Sequence, residues 1–139
     1  MTVIEAVQNY IQTYTGLPSG APVWVDYLGL MPSQFTVQAM PGARVVEIYL
    51  DGSRLREFPF VLAFMGSTAD DAARLANVGF FEAFADWLEQ QTEAEVFPTL
   101  LAGKTPEKIE ALGWGYLFEL GESETGVYQI QCRLTYMED

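Results

Sequence analysis

At 139 residues, half of them hydrophobic and 14% aromatic, the chain has the size and composition of one packed globular domain spanning 1–139, which excludes disorder except at the ends. Nineteen acidic against seven basic side chains leave a net charge of −12, which disfavours any specific contact with nucleic-acid phosphates. There is no histidine and a single cysteine, Cys132, so triads and zinc sites built on histidine are excluded, as are a disulfide framework and a CxxC site.

The acidity is uneven. Up to Ala69 there are five acids and three bases (3 − 5 = −2), and beyond it fourteen acids and four bases (4 − 14 = −10). The N-terminus has no basic leader, and no stretch reaches the ~18 consecutive apolar residues of a membrane span, so a soluble, non-exported protein is expected.

Thr2 and Glu5 form a capping-box pattern, and Val3, Val7, Tyr10, Ile11 and Tyr14 follow at helical spacing, which predicts an amphipathic helix over 3–14. Breakers at 16–22 predict a loop. Short β-branched and aromatic runs at 23–28 and 35–39 predict two strands, and the runs 45–50 and 55–64 flank Asp51-Gly52-Ser53, a strong hairpin signal. Pro59 cannot donate to a ladder, so the second arm, which opens with Arg54 and Arg56, is expected at a sheet edge or with a bulge.

A short helix or turn is expected over 70–76, then the main helix over 78–93. Phe80, Phe81, Phe84, Trp87 and Leu88 form its apolar face, and Glu82, Asp86, Glu89 and Glu93 the opposite one. A connecting region with a helical turn at 106–112 leads to strands over 114–120 and 127–136, joined by the acidic turn 121–126. In the last strand Tyr128, Ile130, Cys132, Leu134 and Tyr136 alternate with Gln129, Gln131, Arg133 and Thr135, so one face is core and the other wet or paired. The sum is an α+β domain: a mixed or mainly antiparallel sheet with the N-terminal and central helices packed on one face.

No motif supports catalysis, and no catalytic, cofactor-binding or metal-binding residue is assigned. Glu82, Asp86 and Glu89 share a helix face, but carboxylates from one helix rarely close a coordination sphere without a second cluster, which favours a solvated acidic face. Cys132 sits on the apolar side of a strand with no base to activate it. Gly113-Trp114-Gly115 lacks the third glycine of a dinucleotide fingerprint. Two features ask for a partner: the Arg54/Arg56 edge and the acidic stripe Glu82, Asp86, Glu89 and Glu93. One subunit's edge set against the next subunit's stripe would make a heterologous contact that closes into a ring. The loops 16–22 and 121–126 are further candidate contacts.

Val25-Asp26-Tyr27-Leu28-Gly29, Tyr49-Leu50-Asp51-Gly52-Ser53, the run from Gly79 to Glu89, Gly115-Tyr116-Leu117-Phe118 and the run from Tyr128 to Tyr136 occur in an order that resembles the minor capsid proteins of tailed phages and prophages of Gram-positive bacteria. The resemblance implies a virion structural protein, assembled in the host cytoplasm at the head–tail joint, with a fold like that of tail terminators. Such proteins form hexameric rings that cap the tail-tube protein and present a surface to the head connector, and they bring no catalytic residue. A hexamer would carry 6 × (−12) = −72 charges, and acids lining its lumen would repel DNA and let the genome slide. The alternative is an acidic DNA mimic that inhibits a host nucleic-acid-binding protein.

Overall fold

The computed structural model describes residues 1–18, 21–26, 34–42 and 44–139. Among these the chain forms, in order, α1 (Val3–Ile11), β1 (Val23–Val25), β2 (Phe35–Ala39), β3 (Val45–Ile48), β4 (Arg54–Ser67), α2 (Asp71–Glu93), β5 (Lys104–Ala111), β6 (Tyr116–Leu120) and β7 (Thr125–Glu138). The two long strands β4 and β7 pair antiparallel from Arg54↔Glu138 to Ser67↔Thr125 and form the middle of a seven-stranded sheet. β2 and β3 share the free flank of β4, while β5 and β6 share that of β7, all antiparallel. β1 adds to β2 in parallel, so the fold is α+β with a mixed, mostly antiparallel sheet.

Alternation builds the core. Phe60, Leu62 and Phe64 of β4 and Tyr128, Ile130, Cys132 and Leu134 of β7 point to one face and are buried there against Val7 and Ile11 of α1 and Phe81, Phe84 and Leu88 of α2. Each large side chain so removed from water contributes ~1.5–3 kcal/mol before entropy. The two helices meet through rings: Trp87 lies 5.1 Å from Tyr10 and 4.8 Å from Tyr14, centroid to centroid. The other face of the last strand is paired: Gln129 and Gln131 donate to the Tyr116 hydroxyl, and Arg133 bonds Glu110 at 2.6 Å.

Several expectations need correction. The Thr2 hydroxyl accepts from the Glu5 amide as the N-cap, but α1 stops at Ile11, and tighter bonds from Thr13 and Tyr14 back to Tyr10 and Ile11 carry Tyr14 into the core. The helix expected in two pieces is continuous over Asp71–Glu93, because Asp70 caps it and Asn77, at the supposed break, donates to the Ser67 carbonyl at 2.9 Å and ties the helix to β4. Residues 106–112 form most of β5 instead of a helical turn, since β7 offers a free flank from Cys132 to Glu138, and a register shift between Pro106 and Lys108 absorbs the proline.

The arm holding Pro59 is not an edge. Its carbonyl accepts from Met40 on the β2 flank, and a residue's nitrogen and carbonyl in an antiparallel strand face the same side. The missing N–H would have faced the Met40 carbonyl, one residue past the end of β2 at Ala39, so the proline costs one bond at the point where that ladder stops. Arg54 and Arg56 accordingly lie between β3 and β7. Positions 19–20 of the expected loop and 27–28 of the first expected strand lie outside the described residues.

The β6–β7 turn is strained. Ser123 and Glu124 both have φ near +55°, at 53° and 57°, in a two-residue reversal that favours Asn-Gly. Replacing Ser123→Asn and Glu124→Gly together is expected to raise stability by about 1–2 kcal/mol, read as a higher denaturation midpoint at unchanged slope.

Candidate functional site

The side chains that stand out face outward, at two opposite edges of the sheet. At one edge the β3–β4 hairpin turns through Asp51, whose carboxylate accepts from the Ser53 amide and hydroxyl and is held below the usual carboxylate range by those bonds, and through Gly52 at φ +90°. Val46, Ile48 and Leu50 are exposed along this hairpin, and Leu50 projects fully into solvent. Arg44 and Arg54 flank them. Five of the seven cations are ion-paired: Arg56 and Lys104 share Glu138, Arg74 bonds Asp71, Lys108 bonds Glu110, and Arg133 bridges Glu57 and Glu110. That leaves Arg44 and Arg54 as the two cations with no ion pair among the described residues. Glu138 stands opposite Arg54 in the register, but Arg56 takes it at 2.8 Å.

At the other edge α2 runs beside β5. Thr92 covers the outer side of that strand, its hydroxyl donating to the Ile109 carbonyl at 2.7 Å and accepting from the Ile109 amide at 3.1 Å. Next to this contact a groove of about 520 Å³ opens between the helix and the strand. Glu82, Asp86, Glu89 and Glu93 form its helix wall, Ile109 and Ala111 lie on the strand side, and Trp114, 77% exposed, stands at its end. None of the four helix acids has an ion pair among the described residues, and Lys108 in the same wall is taken by Glu110 at 2.7 Å. Beyond Trp114 the apolar side chains of Phe118 and Leu120 continue outward along β6.

Of the six residues singled out from sequence, the structure gathers the four acids in this groove and separates the two arginines: Arg54 is exposed, whereas Arg56 is largely buried against Glu138. Arg44 and Trp114 were not singled out. Arg44 precedes β3 with no motif around it, and Trp114 acquires its place only once 104–111 is a strand. Among the described residues no group of three or more acidic or cysteine side chains is arranged to hold a metal ion, and no helix is long and apolar enough to cross a membrane.

Cys132 is fully buried, and burial pushes its thiol far above the usual range. Thiol reagents are expected to leave the native protein unlabelled and to modify it only as fast as it unfolds; rapid labelling under native conditions would contradict this placement.

No family model matches the chain, and no curated protein is significantly similar to it.

Proposed function

We propose that the chain is a structural, non-catalytic protein of a tailed-phage virion, made in the host cytoplasm and placed at the head–tail joint. There it forms a ring, probed most simply as a hexamer, that caps the tail tube and docks the head connector. The observation that carries the assembly part of this reading is the apolar exposure at two opposite edges of one sheet, Ile48 and Leu50 on the β3–β4 hairpin and Trp114, Phe118 and Leu120 on the far side. Contiguous exposed apolar side chains mark surfaces that other proteins cover. Two different patches on opposite sides suit a head-to-tail contact, the kind that closes into rings. The phage setting comes from the ordered sequence runs that resemble minor capsid proteins.

The test is to polymerise the tail-tube protein encoded in the same gene neighbourhood with and without this chain. Tube growth is expected to stop, with the chain found only at tube ends. Unchanged growth with no bound chain would overturn the reading.

A second reading has one observation in its favour, the row Glu82, Asp86, Glu89 and Glu93 on α2, which has no ion pair among the described residues. As a DNA mimic that row would bind basic nucleic-acid-binding proteins with affinity falling steeply in salt. Absence of such binding removes this alternative.

A further inference from the structure

Among the described residues, the two cations without ion pairs and the groove whose helix wall carries four unpaired acids are complementary, and they sit on opposite sides of the sheet. At the end of the sheet that holds the hairpin, the register runs across four strands, Ile48↔Arg54↔Glu138↔Lys104, with β3 and β5 as opposite edges. Three strand spacings separate them, about 14 Å through the sheet, with the hairpin on one side and the groove on the other. Arg44 leads into β3 and Arg54 lies on β4, three and two spacings from β5, and neither makes an ion pair with Asp86 or Glu89 of its own chain among the described residues.

We propose that the groove between α2 and β5 is a docking site for the β3–β4 hairpin of a second copy of this chain. Leu50 enters beside Trp114, and Arg44 and Arg54 meet Glu82, Asp86 and Glu89. This rests on the assembly reading above and names the surfaces that make it. The argument for this occupant is charge and shape together. Among the described residues the hairpin holds both unpaired cations, and the groove holds four unpaired carboxylates on α2 beside one cation, Lys108, that Glu110 already takes. The hairpin tip presents an apolar side chain exposed to its full extent, and the groove ends on an exposed indole. Each feature is costly or idle alone. Docked, the aromatic and aliphatic surfaces leave water, and the like charges along α2, which repel in the free chain, gain counterions. Because hairpin and groove are different patches, each docking leaves one of each free, so the contact repeats in one sense.

The experiment uses two surface variants of the full chain, Arg44→Glu with Arg54→Glu, and Asp86→Arg with Glu89→Arg, each checked for native circular dichroism. Light scattering should show wild type assembled and each variant's self-association weakened by about a hundredfold or more, since like charges then oppose one another across the contact. Mixing the two variants pairs the intact groove of one with the intact hairpin of the other, and the reversed hairpin of the first with the reversed groove of the second, so assembly lost in each variant alone should return in the mixture.

If wild type assembles and both variants assemble equally well, the docking pair is overturned while the ring reading stands. If wild type stays monomeric at all concentrations, both are overturned. A mixture that does not pair overturns the docking contact. A covalent check covers the case in which a charge variant folds poorly. Leu50→Cys combined with Trp114→Cys should give a ladder of oxidised oligomers with no contribution from buried Cys132, whereas an absent ladder overturns the contact.

Discussion

Gly115→Ala is expected to destabilise the protein by about 1–3 kcal/mol, and more if β6 cannot shift as a unit. A methyl group at Gly115 would lie 2.4 Å from Cβ of Phe81 and 2.3 Å from its Cδ2. Phe81 cannot give way. Its Cβ is fixed by the α2 backbone, the residue is fully buried, and its ring packs 5.2 Å from that of Phe64 and 5.5 Å from that of Phe80. The chain between β5 and β6 must therefore pass with bare backbone against the helix, and only glycine allows that approach.

Urea denaturation measures the effect, and a loss under about 0.5 kcal/mol would show that the chain at 115 can move away from α2. Combined with Phe81→Ala, which alone costs about 3–5 kcal/mol, Gly115→Ala should still carry a penalty, because alanine at 81 keeps the Cβ that lies 2.4 Å from the added methyl and removes only the ring contacts. Gly79→Ala supplies the contrast. An added Cβ there meets nothing within 4 Å, and Gly79 lies inside α2, so alanine should stabilise by about 0.5–1 kcal/mol.

Alkaline pH should weaken the fold through Tyr10. Its hydroxyl donates to the Val96 carbonyl at 2.9 Å, which ties α1 to the segment after α2, and burial pushes its pKa up from 10.0 to about 12. The unfolded chain, with the ordinary tyrosine value, loses this proton first. The native state holds it longer, so the contribution is fully present below pH 10 and is lost as pH rises through about 12. The slope is about 1.4 kcal/mol per pH unit within that window. Tyr14, raised by burial and by the Asp86 charge, and Tyr136, raised chiefly by burial, add in the same sense.

Tyr10→Phe should cost about 1 kcal/mol at neutral pH through the lost hydrogen bond and flatten the dependence above pH 10. Denaturation midpoints collected from pH 8 upward measure both. Equal slopes for the two proteins would place the alkaline sensitivity elsewhere.

Local chemistry made much of this fold legible. Asp51-Gly52 between two apolar runs specified the hairpin because the turn needs a positive φ that glycine supplies at +90°. The alternation from Tyr128 to Tyr136 specified the core face of β7 because a strand offers its side chains to two sides in turn. What depends on neighbours was harder to read. Residues 106–112 contain a proline and mixed charge with no clean period, and they become a strand only because β7 has an open flank for them. Misreading that segment hid the groove, whose helix wall was visible in Glu82, Asp86, Glu89 and Glu93 while its strand wall was not. Pro59 misled for a related reason: proline excludes a ladder bond on one flank, and the register places the end of β2 at that flank.

The pairing of Arg56 with Glu138 was equally invisible, since 82 positions of sequence separate the two and only the β4–β7 register brings them together. It removes Arg56 from the surface chemistry and leaves Arg44 and Arg54 as the two cations of the hairpin without an ion pair among the described residues.

Assembly is the claim on which the rest depends, and the mass of the wild-type protein in solution tests it most directly. Light scattering behind size exclusion, repeated over a range of concentrations, should give a closed species of six chains whose mass stops growing as concentration rises. A single-chain mass at every concentration would contradict the account.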